Sequence, residues 1–319
     1  MGFLFHKENP MSRGIAQEVN YAIQTDLQTI PVEGWKNLPF KTFSITPSYE
    51  RTESELITGG RLPEAGAVTK ATVEGDISTN LAKGLYDDFF AAAALAEWTG
   101  DVLTIGGDWS TAVQKMFAIE SLNKDVKIAH YYGGCRVNKL DVKIADGYAE
   151  LTINFMGSDY QNKEDSTYSV TPTAAPKSIL YATRLSVEDI MIDGVTTKGN
   201  ACATEFTFSI SNDLLAQDCL GGGIFTTTFL DSTQTVTGNL TLAYGKKSQS
   251  IVNNQISGKT IAINVKLKFS DGTGLTINVP AAQVTASNPN GGTKDVLSTA
   301  LEYNAVNGTQ LPTITRTTA

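Results

Sequence analysis

Apolar and polar residues alternate along most of this chain. In 42–45, 136–144, 148–155, 205–210 and 261–269 the apolar residues hold one parity and the polar residues the other. That pattern predicts strands with one buried and one wet face, the arrangement of antiparallel sheets. Asp146-Gly147 and Asp271-Gly272 fall between such runs and predict tight hairpin turns. A helical period is confined to two stretches. One covers roughly 83–98, where Leu85, Phe89, Ala92 and Ala96 share a stripe and Gly100 stops the run. The other is shorter, about 248–257, with Ile251, Val252 and Ile256 facing inward and Gly258 at its end.

The pattern also repeats. Lys41-Thr-Phe-Ser-Ile45, Gly59-Gly60 and Thr72-Val-Glu-Gly-Asp-Ile-Ser78 return as Thr204-Glu-Phe-Thr-Phe208, Gly222-Gly223 and Thr235-Val-Thr-Gly-Asn-Leu-Thr241, all at one step of 163 residues. Three blocks in one register argue for a duplicated domain, and in both copies the helix follows the T-V-x-G strand. The expected fold is mainly β: a tandem pair of β-sandwich or barrel domains, each with one flanking helix. Residues 1–165 form the first domain, with an N-terminal arm at 1–34. Residues 166–180, polar and bearing Pro176, are the linker, and 181–319 form the second domain.

Composition narrows the function by exclusion. The 319 residues carry 25 basic against 33 acidic side chains, a formal charge of −8, which disfavours grip on a nucleic-acid backbone. The longest apolar stretch, Phe89 to Ala96, is far short of the ~20 residues that span a bilayer, so no membrane partner is expected. The start lacks the pattern of a signal peptide, and synthesis and folding in the cytoplasm are expected. Cys135, Cys202 and Cys219 form no C-x-x-C and read as free, mostly buried thiols.

With only His6 and His130, a Ser-His-Asp or Cys-His arrangement has almost no candidates. No zinc, calcium or phosphate-loop motif occurs; Gly291-Gly-Thr-Lys294 is a fragment of the last. The pairs Asp87-Asp88 and Glu164-Asp165 read as solvated faces. Trp35, Trp98 and Trp109 could form a sugar platform, which keeps a tandem β-sandwich adhesin or carbohydrate-binding module as the alternative reading; as scattered aromatics they read better as core or interface.

Two irregular stretches recur at matching places. The first, 50–70, carries Glu50, Arg51, Glu53, Glu55, Arg61, Glu64 and Lys70; the second, about 212–234, carries Asp213, Asp218 and Asp231 around Gly221-Gly-Gly223. Long charged loops present in both copies are expected to touch a neighbour.

The succession Ile45-Thr-Pro-Ser-Tyr-Glu-Arg-Thr-Glu-Ser54, Thr72-Val-Glu-Gly-Asp-Ile77, Gly84-Leu-Tyr-Asp-Asp-Phe-Phe-Ala91 and Tyr132-Gly-Gly-Cys-Arg-Val-Asn-Lys-Leu140 resembles the major tail tube proteins of long-tailed, siphovirus-like bacteriophages. The likeness is close over 40–160 and weaker, through the internal repeat, over 180–319. It implies a structural virion protein, no enzyme, with no cofactor and no small-molecule substrate. Its partners would be copies of itself, in rings and stacked rings. The tape measure protein and DNA would occupy the lumen, and tail terminator and distal tail proteins the tube ends. Assembly would take place in the host cytoplasm. If many such tubes use six single-domain subunits per ring, a two-domain chain needs three, giving threefold rings of pseudo-sixfold appearance. Loops 50–70 and 212–234 would then stack the rings, with help from the arm. The second copy departs from the pattern in lacking the G-C-R-V-N string.

Overall fold

A computed structural model describes residues 11–27, 29–54, 56, 65–289, 291–293 and 296–318. The N-terminal half contributes β1 (Gln17–Gln24), β2 (Lys36–Asn37), β3 (Thr42–Phe43), β4 (Thr46–Thr52), β5 (Ala67–Asn80), α1 (Asp87–Ala94), β6 (Val102–Thr104), β7 (Met116–Asn123), β8 (Ile128–Ile144), β9 (Glu150–Gly157) and β10 (Asp159–Glu164). The C-terminal half contributes β11 (Val187–Ile192), β12 (Val195–Thr196), β13 (Ala203–Ser211), β14 (Leu215–Gln217), β15 (Thr228–Leu230), β16 (Thr235–Ala243), α2 (Lys246–Ser257), β17 (Ile261–Lys268), β18 (Gly274–Ala286), β19 (Ser298–Ala305) and β20 (Thr313–Thr317). The fold is mainly β, and all pairings between these strands are antiparallel.

One sheet runs β4–β5–β9–β8–β13–β16–β19–β18 and so crosses from the first half into the second. Each half adds a second sheet with the same order of strands. The first is β2–β1–β7–β8–β10, and its counterpart is β12–β11–β17–β18–β20. Strand β8 is long because it serves both sheets of its half. Residues 128–133 pair with β10, and Arg136 to Lys143 pair with β9. Between them the chain turns at Gly133-Gly134, where Gly134 has φ 60° and a Cβ would run into the Leu27 side chain. The apolar parity of the strands points into a main core that runs through both halves, with a smaller cluster around Trp35, Tyr131 and Tyr168 beside it. At its N-terminal end Tyr21, Phe89, Phe117 and Phe155 pack with ring centroids 4.7 to 6.3 Å apart. Burial of each such ring contributes ~1.5–3 kcal/mol before entropy is subtracted.

The repeat noted in the sequence has a geometric counterpart. In the first half Phe43 faces Ile77, Thr46 faces Glu74, Pro47 faces Val73 and Ser48 faces Thr72. In the second, Phe206 faces Leu240, Ser209 faces Thr237, Ile210 faces Val236 and Ser211 faces Thr235, each pair displaced by 163. The hydroxyl of Ser44 accepts the amide of Asp76 at 2.9 Å, and that of Thr207 accepts the amide of Asn239 at 2.7 Å.

Several local expectations are corrected. The first helix spans only Asp87–Ala94, because Leu95 takes a left-handed conformation (φ 52°) and ends it well before Gly100. Two aspartates in its first turn suit the positive end of the helix dipole. In α2, Ile251 and Val252 pack on the core while Ile256 is 84% exposed. His130 lies within β8. Apart from these corrections, within 166–180 Glu120 accepts the Tyr168 amide at 2.6 Å, and Thr173 shares backbone bonds with Trp35 and Asn37.

Candidate assembly surfaces

The join between halves is a strand pair. Leu140, Asp141 and Val142 of β8 face Ile210, Ser209 and Phe208 of β13, with Ile144 facing Phe206 at the end of the run. Its apolar side is buried and its polar side carries the Lys143–Glu205 ion pair at 2.9 Å. That bond raises the Lys143 ammonium above its ordinary value. The halves are further tied by Lys83–Asp271 at 2.6 Å and by β6 pairing with β20. Arg316 of β20 pairs with Asp87 at 2.7 Å while its guanidinium lies over the Trp98 ring.

The crossing sheet leaves two edges open. Among the described residues β4 pairs only with β5, and β18 beyond Ala282 pairs only with β19. Across the polar face of the same sheet runs a trough of about 760 Å³, lined by strands from both halves. Thr152, Thr207, Ser209, Thr237, Asn239 and Thr285 give it hydroxyl and amide groups. Its charges are largely paired, Lys41 with Glu150 at 2.6 Å and Lys139 with Asp141 at 2.9 Å. Glu302 in the trough has no ion-pair partner among the described residues, nor does Glu74 on β5.

The loop residues expected to touch neighbours divide into groups. Glu50, Arg51 and Glu53 are exposed on and just after β4. Asp213 is also at the surface and accepts from the Ser211 hydroxyl at 2.7 Å. Lys70 and Asp218, however, pair with each other at 2.8 Å. Their bond, with Ala71 N–H donating to the Ile224 carbonyl at 2.7 Å, seats the second loop on β5 of the same chain. Asp231 is turned inward beside Arg136, 3.5 Å away. Glu55, Arg61 and Glu64 lie outside the described residues.

Arg136 is the residue that reading the sequence missed. It is buried, donates to the Phe229 carbonyl at 2.7 Å and to the Gln114 side chain, and so fastens β8 to the strand that precedes Asp231. Burial lowers its guanidinium, with Asp231 opposing the shift. The signal was an arginine at an apolar-parity neighbour in Gly-Cys-Arg-Val-Asn, whose partners are too distant in sequence to pick out.

Among the described residues no group of three or more His, Cys, Asp or Glu could hold a metal ion. Of the cysteines only Cys135 is buried, where desolvation pushes its thiol up; Cys202 and Cys219 are exposed, against expectation. Trp35 is buried with its indole donating to the Pro31 carbonyl, Trp98 is covered by Arg316, and Trp109 alone is exposed. No described helix is long and apolar enough to cross a membrane.

Comparison with curated proteins gives no match. A family model described as phage tail tube protein matches residues 14–305.

Proposed function

The chain belongs to the phage tail tube protein family, and from that premise we propose that three copies close head to tail into a ring, and that stacked rings form the tube. The observation that carries this reading is the β8–β13 pair. It joins two halves of like strand order side by side in one sheet and leaves an open edge at each end, so the same kind of join repeated between chains gives a closed circle. Closure removes the aggregation hazard of exposed edges. Two like units per chain and three chains per ring give threefold symmetry with a pseudo-sixfold outline. In this reading the halves are duplicated domains of 1–165 and 181–319, with 166–180 between them.

The polar trough faces the lumen. Hydroxyl and amide groups with paired-off charges offer a passing tape measure protein or DNA few sites to grip, and the residual Glu74 and Glu302 repel phosphate. Glu50, Arg51, Glu53 and Asp213 remain available for contacts between rings, while Lys70, Asp218 and Asp231 serve within the chain. Tail terminator and distal tail proteins would cap the two ends, in a virion assembled in the host cytoplasm. Class averages of the purified, self-assembled protein test the reading. Rings of three chains with six similar lobes are expected; monodisperse monomers, or rings of six chains, would overturn it.

A further inference from the structure

Resting on that ring reading, we infer the register of the seam between chains: residues 45–49 of one chain pair antiparallel with residues 284–288 of the next, Thr46 opposite Ser287 and Ser48 opposite Thr285. The internal join supplies the template. Ser209 faces Asp141 there, and Ser211 faces Lys139. The step of 163 turns Ser209 into Thr46 and Ser211 into Ser48. The partner strand maps through the shared neighbours. Ile77 faces Ile153 in the first half and Leu240 faces Leu301 in the second, which makes Ile153 and Leu301 equivalent. Leu140 faces Ile153, and Ala286 faces Leu301, so Leu140 maps onto Ala286 and Asp141 onto Ser287. Upstream, the β8–β9 pairing carries a register shift between Val137 and Lys139 that β18–β19 lacks, and Lys139 maps onto Thr285.

Backbone directions agree on both edges. Ser287 N–H donates inward to the Ala300 carbonyl at 3.0 Å, so the neighbouring Ala286 N–H points to the open side. In the lone chain it is caught by the Gln255 side chain of α2 at 2.9 Å. On the other edge Ser44 N–H donates inward to the Asp76 carbonyl at 2.9 Å, which turns Ile45, Pro47 and Tyr49 outward. Pro47 thus stands where a missing N–H costs the chain's own ladder nothing, the usual place for proline in a sheet. Both edges are therefore guarded before assembly, one by a proline and the other by a glutamine side chain. At the seam the Pro47 carbonyl takes over the Ala286 N–H from Gln255, while Pro47 has no N–H to return to the Ala286 carbonyl, so the seam carries one ladder bond fewer than the internal join.

The two kinds of join differ in chemistry. The Lys143–Glu205 ion pair of the internal join maps onto Pro289 and Thr42, so the seam between chains carries hydroxyl pairs and no salt bridge there.

Thr46 and Ser287 are exposed and, with their amides directed away from the seam, form a non-hydrogen-bonded pair. Such pairs have Cα atoms ~4.5 Å apart, within the span of a disulfide. The test uses the full chain with C202S and C219S, adding T46C and S287C, assembled and then oxidised. A covalent trimer on non-reducing gels is expected, with each single cysteine variant remaining monomeric. S48C with T285C should give the same trimer and serves as the second pair should the first disturb assembly. T46C with T285C, a diagonal pair ~7–8 Å apart, should not cross-link. Rings visible by microscopy with neither matched pair cross-linked, or with the diagonal pair cross-linked instead, would overturn the register while leaving the ring intact. Absence of rings in the unmodified protein would instead overturn the ring reading itself.

Discussion

Gly75 and Gly238 occupy the same place in the two halves, beneath a strand that passes too close for a side chain. A Cβ on Gly75 would lie 2.5 Å from the Ser44 carbonyl oxygen, and one on Gly238 would fall on the Thr207 carbonyl and the Tyr303 hydroxyl. Gly75 also has φ 156°, which L side chains rarely adopt. Gly75→Ala and Gly238→Ala should each destabilise the chain by about 1–3 kcal/mol or more, since overlap with backbone has no cheap relief. Gly107→Ala, with nothing near the added methyl, should shift the thermal midpoint little, and melting curves of the three variants check the contrast. The T-V-x-G blocks were legible in the sequence as a repeat. Their glycines were not legible as contact points, because the carbonyl each must clear lies 31 residues upstream in both copies. Arg136 was hidden for the same reason, its partners Gln114, Phe229 and Asp231 being supplied by remote segments.

Strands were read more reliably than helices or loops. Period-two alternation survives in β9, β17 and the 140–144 end of β8, whereas the Phe89–Ala96 run is apolar throughout and the helix's C-terminal end is set by Leu95 in a left-handed turn. Of the loop at about 212–234, expected to meet a neighbour, Asp218 is tied to Lys70 of β5 in the same chain, an ion pair no local pattern announces. The Lys70 hydrogen bond holds the Asp218 carboxyl below the usual carboxylate range. Lys83 does the same for Asp271, which is lowered to about 2. Depressed carboxylates contribute fully above the unfolded value of ~3.9 and lose that contribution as pH falls through the folded value. Acidification from pH 5 toward 2 should therefore loosen the loop and the tie between halves. The protection of the Ala71 amide, bonded to Ile224, measured against the intrinsic exchange rate at each pH, should fall over that range, and Asp218→Asn should remove part of the dependence.

At the scale of the whole chain, the alternation carried the mainly β class of fold, but not the way the N-terminal and C-terminal halves meet. Nothing in β8 or β13 alone distinguishes a strand that ends a domain from one that continues into another. The same holds for the lumen. The proposed lumen lining rests on the order of β5, β9, β8, β13, β16, β19 and β18, which no local pattern announces. With the trough as lumen lining, Glu74→Lys and Glu302→Lys together should slow DNA ejection from phage whose tubes look unchanged by microscopy; ejection at the ordinary rate would count against that lining. The position of β8 has a further consequence, which concerns synthesis. Its partner β13 lies in the other half, so a growing polypeptide exposes β8 until roughly 70 more residues have left the ribosome. At ~5–20 residues per second that interval lasts roughly 3 to 14 s, long enough for neighbouring nascent chains on one message to meet. An edge left unpaired over that interval is open to mispairing, and translation speed across the middle of the message sets how long it stays so.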